Sequence, residues 1–339
     1  MQTDTDIDAI LRTEVPAAYR AAIAAAGFPM NELRALTKLR QRRAVLDLAT
    51  ALGSIALGPL LYAAFPNPVT FVFVFFFSIR TFNCFAQLVH MSDHGALFVS
   101  PWANRVGGNI AASCLGYTRT GHRLAHLNHH LYLNTVRDPD RIWGAPDETT
   151  RELRRQWLKD LFFLSAFERL LQYSQSDHKT VSVSPWKKIT VPFLVRTFTR
   201  MSPVFVAQGV ILGVYWVTVG PVYYVLLWVL PILTFYPAQI RLRSTVEHSF
   251  DAGYQATAPE DYWVTRSTAA TFLERFVFAP LAIDYHFEHH LFPVVPHYNL
   301  HRVRELLVRA GIAVPIVPGY VSFVIQKMRQ EKVPACRAA

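Results

Sequence analysis

At 339 residues the chain has room for one large domain or two small ones. It is 52% hydrophobic and only 17% charged, against about 25% charged in ordinary soluble domains. Its net charge of +10 suits either nucleic acid or anionic lipid headgroups, but no nucleic-acid-binding motif accompanies it. Cys84, Cys114 and Cys336 are too scattered for a disulfide framework or a paired-cysteine metal site.

The first 43 residues are polar and begin with acidic side chains, so they do not read as a signal peptide. Four apolar stretches follow, at about 44–65, 69–89, 203–219 and 221–240. Each is nearly long enough to cross about 30 Å of hydrocarbon as a helix. Pro66-Asn67-Pro68 and Gly220-Pro221 divide them into two hairpins with almost no loop. Of the 34 Lys and Arg residues, all but Arg80 fall before 44, between 90 and 202, or after 240. By the positive-inside rule both ends and the long central loop face the cytoplasm. Buried helices of a soluble protein would not segregate charge in this way. Arg80, inside the second stretch, is expected to pair internally or snorkel. Segments 161–173 and 186–200 mix charged and apolar residues and read as interfacial. Segment 106–117 is too short to span and is either re-entrant or buried.

The histidines sharpen this picture. His90 and His94 follow the second stretch at i, i+4, on one helix face. His126, His129 and His130 share a face at i, i+3, i+4, and His286, His289 and His290 repeat that spacing. His248 stands alone, eight residues past the fourth stretch. Imidazole suits zinc, copper, iron and nickel, and a single zinc takes about four ligands, so eight or nine histidines imply two metals. No HExxH is present to supply a zinc-peptidase base. The Glu-x-x-His pattern of soluble di-iron bundles is also missing. Two irons held mainly by neutral nitrogen remain. The expected fold is an all-α integral membrane protein with four transmembrane helices in two hairpins. A cytoplasmic helical cap would hold a histidine-rich di-metal site. The expected division is an N-terminal cytoplasmic segment over 1–43, a membrane domain over 44–310 and a cytoplasmic tail over 311–339.

These three boxes, HxxxH, HxxHH and a second HxxHH, resemble those of the membrane fatty acid desaturase superfamily, over roughly residues 40–310. Asp138-Pro139-Asp140, the run Arg243 to His248, and Leu273 to Leu300 around the third box are similar to stretches of bacterial acyl-lipid desaturases. The resemblance implies nine iron ligands: His90, His94, His126, His129, His130, His248, His286, His289 and His290. Ser244 stands where some members carry an asparagine that holds a metal-bound water. His122 is additional to the family pattern and is expected to support the ligands rather than join them. Asp93, Asp138, Asp140, Glu247, Asp284 and Glu288 are candidates to orient imidazoles by accepting their second N–H. His178, His297 and His301 read as surface or packing residues.

The resemblance further implies two iron ions, dioxygen as co-substrate and a double bond introduced into a fatty acyl chain or similar long apolar lipid. The expected location is the bacterial cytoplasmic membrane. No HPGG, rubredoxin cysteine pair or GxGxxG is present, so electrons should come from a separate donor, ferredoxin being the expected one. A hydroxylase or ketolase of the same superfamily, acting on a lipid or carotenoid, is the nearest alternative. A membrane metal transporter is a more distant one, because transport sites place ionisable ligands inside the spans.

Overall fold

The computed structural model describes residues 15–165, 191–250 and 256–330. Two short helices, α1 (Ala17–Ala25) and α2 (Met30–Leu36), precede the first hairpin, α3 (Gln41–Ala64) and α4 (Pro68–Asp93). Its turn is set by Asn67, whose side chain accepts from the Thr70 N–H at 3.0 Å, and by Pro68, which needs no donor at the first helical position. Next come α5 (Pro101–Cys114), α6 (Arg119–Tyr132) and α7 (Thr150–Leu161). The second hairpin is α8 (Val191–Thr218) and α9 (Pro221–His248), joined at Gly220, whose φ of 99° favours glycine.

Four helices, Gln41–Ala64, Pro68–Asp93, Phe198–Thr218 and Pro221–His248, are long and apolar enough to cross a membrane. Their outward faces expose Leu46, Leu57, Phe73, Val206, Val210, Val217 and Val222, which hydrocarbon would cover. Two of them run well past the C-terminal ends of the expected stretches. The second continues to Asp93 and the fourth to His248, and the histidines lie in these extensions. The fourth is irregular. Val225–Val229 is a π-turn and Thr234 departs from helical geometry (φ −122°, ψ −82°). Pro231 and Pro237 each remove an N–H donor and press on the carbonyl four residues back. Residues 191–200, expected to lie flat in the interface, instead begin α8. Residues 166–190, including His178 and most of segment 161–173, lie outside the described residues, as does Cys336.

The α4 helix is the axis of the core. Phe82, Phe85 and Leu88 are fully buried, and Phe82 meets Trp228 of α9 edge-on at 4.7 Å. Most of segment 106–117 lies in α5, whose inner face, Gly107, Gly108 and Ala111 to Cys114, is buried, with the two glycines against the end of α4. A Cβ on Gly108 would stand 2.0 Å from Ser92 Oγ, and one on Gly107 2.5 Å from Phe98. The chain after α9 forms the cap: β1 (Ser267–Thr268), α10 (Phe272–Val277), α11 (His286–Leu291), α12 (Leu300–Arg309), β2 (Ile316–Val317) and α13 (Tyr320–Gln330). The two strands pair in parallel, Ser267 with Ile316. The N-terminal helices close over this cap, with Phe28 stacked on Phe292 and Tyr19 edge-on to Phe287.

Gly108→Val should lower stability by about 1–3 kcal/mol through overpacking, seen as a lower melting temperature in detergent. Gly53→Ala, whose Cβ meets nothing within 4 Å, should leave it unchanged.

Candidate metal centre

The overrun of α4 presents His90 and His94, and α6 presents His126, His129 and His130 from one face. His248 ends α9, and α11 carries His286, His289 and His290. The fold brings all nine rings together. Nitrogens of His90, His94, His126, His130 and His289 lie within 4.8 Å of one another. So do those of His129, His248 and His290, and the ligand atoms of Glu247, His248 and His286. The Nε2–Nε2 separations are 2.6 Å for His90–His289, 2.7 Å for His94–His126, 2.8 Å for His248–His286, 3.0 Å for His286–His290 and 3.2 Å for His130–His289. Imidazoles about 2.0–2.1 Å from a shared metal would place their nitrogens about 2.9–3.4 Å apart. The His286–His290 and His130–His289 separations fall in that range and the other three are 0.1–0.3 Å shorter, and the donor set is consistent with a di-metal site.

Supporting groups fix the rings. His129 Nδ1 donates to both oxygens of Asp138 at 3.0 Å. Asp138 also accepts the backbone N–H groups of Asn134 and Asp140, at 2.8 Å each. His248 Nδ1 donates to the Val264 carbonyl at 3.1 Å. A carboxylate and a carbonyl only accept, so both rings carry their proton on Nδ1 and leave Nε2 as a free ligand. Among the described residues no hydrogen-bond partner meets Nδ1 of His289 or His290. Burial, and then neighbouring imidazoles, hold His94, His126, His130, His286 and His290 well below the ordinary imidazole range. Burial likewise takes His289 down to about 3. Burial opposes charge on His129 too, but Asp140 and Asp138 outweigh it and push that ring up to about 9. Burial thus favours the neutral form that metal ligation needs, and on His129, where the carboxylates favour the cation, a metal would replace the proton at Nε2.

Only some of the candidate carboxylates orient imidazoles. Asp138 does, and Asp140 lies 3.7 Å from the same Nδ1. Asp93 instead holds His122 Nδ1 at 2.7 Å and Arg119 at 3.2 Å, and His122 stands outside the converging groups, stacked on Tyr117. Asp284 pairs with Arg275 at 2.7 Å. Glu288 is bound by Ser267 and Arg304, whose charge is already neutralising it. Glu247 lies 3.7 Å from His286 Nε2, the nitrogen on the metal side. Ser244 Oγ sits beside Gly144, 3.9 Å from where a Cβ there would stand. His297 is buried against Asp47 at 3.3 Å, and His301 is exposed.

Three supports were not legible in the boxes. Asn134, at φ 60°, donates its side-chain amide to the carbonyls of His248, Tyr262 and Val264. It thereby ties the second box to α9. The end of α4 is fixed by Asn104 and Arg119, both donating to the Ser92 carbonyl at 2.6 Å. Trp263 covers the group from the N-terminal side, with its ring 6.5 Å from His290. An asparagine shortly after HxxHH, tolerant of the left-handed region, was the one local signal available.

Asp138→Asn should weaken metal retention about 10–100-fold, because the amide offers only one acceptor and no charge to His129. Competition with a chelator, followed by metal analysis, measures this.

No curated protein matches the chain. The family model described as fatty acid desaturase matches residues 66–315, a stretch that includes all three boxes and His248. That match, the four membrane-length helices and the histidine cluster agree, and the chain belongs to the fatty acid desaturase family, whose members are membrane oxidoreductases acting on lipid.

Proposed function

We propose that the chain is a dioxygen-dependent di-iron desaturase that introduces a double bond into a fatty acyl chain or a similar long apolar lipid. The observation that carries this reading is the convergence of nine imidazoles in adjoining groups at the ends of bilayer-length helices. His90, His94, His126, His130 and His289 would hold one iron, and His129, His248, His286 and His290 the other. Bound iron would supply the chemistry with dioxygen that removes hydrogen from an unactivated C–H bond.

The protein's own contribution is positional. Asp138 and the Val264 carbonyl hold two rings in the tautomer that leaves Nε2 free. The buried setting favours the neutral form of the rings, opposed at His129 by Asp140 and Asp138, and limits water at the reacting centre. A site joined directly to membrane helices favours a substrate that arrives from the lipid phase. Two electrons would come from a separate acidic donor, of which ferredoxin is the expected kind. The exposed Arg42, Arg123, Arg137, Arg154 and Arg302 would attract it. The segregation of basic residues supports a site and chain ends on the cytoplasmic side of a bacterial inner membrane.

Purified from iron-replete cells in mild detergent, the parent should hold about two irons per chain. His126→Ala and His289→Ala should each lose most of that metal. Cells expressing the parent should accumulate unsaturated acyl chains that both variants fail to make. A hydroxylated product would favour the hydroxylase reading, and zinc alone would sink the oxygenase.

Orientation is tested with an impermeant maleimide on intact cells, in a Cys336→Ala background. Asn67→Cys should react and Val136→Cys should not; the reverse pattern would invert the chain.

A further inference from the structure

The two metal groups are not alike. The first draws on five imidazoles, whereas the second has four, His129, His248, His286 and His290, and a buried carboxylate beside them. We propose that Glu247 is itself a ligand of the second metal, so that one site is all-nitrogen and the other is four imidazoles and a carboxylate. This rests on the di-metal reading above and adds to it a residue outside the nine histidines.

Position is the first argument. A carboxylate that merely orients an imidazole sits at Nδ1, as Asp138 does with His129. Glu247 Oε2 instead lies 3.7 Å from His286 Nε2. That nitrogen already meets His248 Nε2 at 2.8 Å and His290 Nε2 at 3.0 Å. The oxygen therefore faces the point on which the second group converges.

The second argument is the carboxylate's other company. Glu247 is 2% exposed, and a buried carboxylate requires a strong partner. Tyr320 donates to Oε1 at a long 3.4 Å. Arg243, four residues earlier on the same helix, brings Nε within 3.3 Å of Oε2 as an ion pair, with that nitrogen outside hydrogen-bond geometry. A carboxylate oxygen carries two lone pairs, so this ion pair does not exhaust Oε2. The oxygen nearest the imidazoles keeps a lone pair for a cation.

Charge is the third. Nine neutral imidazoles bring no negative charge to two divalent ions in a buried setting, and hard cations gain from a carboxylate oxygen. Ser244, one turn earlier on the same helix, points its hydroxyl toward Gly144 and does not compete for the position.

The test uses the full chain loaded with iron-57, in the parent, Glu247→Gln, Glu247→Asp and Tyr320→Phe. Iron content and Mössbauer spectra are read together. The parent should show two inequivalent iron environments of equal area. Glu247→Gln should fall from about two irons to about one, or bind the second at least about tenfold more weakly, with the loss confined to one spectral component. Glu247→Asp should restore much of it. Tyr320→Phe, which removes only the contact to Oε1, should keep both.

Two irons in Glu247→Gln with unchanged spectra would overturn the assignment and leave Glu247 as the partner of Arg243. Two equivalent irons in the parent would overturn it even if that variant failed to fold. A parent that binds no metal pair would sink the di-metal reading, and this assignment with it.

Discussion

Nine imidazoles crowded into one volume are a liability unless a cation sits among them. His248 spends its ring proton on the Val264 carbonyl, so its Nε2 presents a lone pair to His286 Nε2 at 2.8 Å. A proton on His286 could satisfy that contact, but His286 also meets His290 at 3.0 Å, and one N–H makes one good bond. His289 faces the same conflict between His90 and His130. Lone pairs directed at one another repel, and in a buried setting water does not screen them. Metal ions would turn these contacts favourable at once, and the surrounding fold must hold the rings with their lone pairs converging.

That requirement explains where the braces lie. The end of α4 is anchored through the Ser92 carbonyl by Asn104 and Arg119. The Glu288 carboxylate, inside the third box, is held by Ser267 and Arg304. Asn134 links three backbone carbonyls beneath the second box. Each is a buried, hydrogen-bonded contact between segments distant in sequence, and such networks specify a single arrangement when fully satisfied. The membrane supplies the rest of the rigidity. A spanning helix satisfies its own backbone, and the unbroken α4 carries that stiffness to His90, whereas α9 breaks at Thr234 and resumes as a regular helix to His248. Placing the histidines a turn past the apolar stretch keeps polar side chains out of hydrocarbon, where they are costly. Arg80, the basic residue left inside a span, packs its guanidinium over Phe276 of the cap at 5.0 Å, an internal solution of the kind its position required.

The legible parts of this architecture were those with a local period or a composition. Apolar runs of about twenty residues, broken by Pro66-Asn67-Pro68 and Gly220-Pro221, gave the hairpins, and the i, i+3, i+4 spacing gave the boxes. The ends of α4 and α9 were read short because hydropathy stops at the bilayer while helical geometry continues. The π-turn at Val225–Val229 follows from Pro231, but a proline in an apolar run signals only some disturbance, not its form. What could not be read was pairing at a distance. Six carboxylates near the boxes looked alike in sequence. In space, Arg275 and Arg304 claim Asp284 and Glu288, and Arg119 and His122 claim Asp93. Nothing within a few residues of those acids announces which cation will reach them.

Sorting the carboxylates this way also shows how charge is distributed around the centre. Acids paired with arginine contribute little field at the metals, because the guanidinium cancels them at short range. Asp138 and Asp140 remain, both behind His129, together with Glu247, whose contact with Arg243 is the looser one. All three lie on the side of His129, His248, His286 and His290. Near the group of His90, His94, His126, His130 and His289, Asp93 is screened by Arg119 and His122. A metal on the acidic side would have its higher oxidation state stabilised relative to its neighbour, since negative charge favours the more positive ion. Two metals in one cluster need not then share electrons evenly, and the difference would be built by the protein from three carboxylates rather than by the metals themselves.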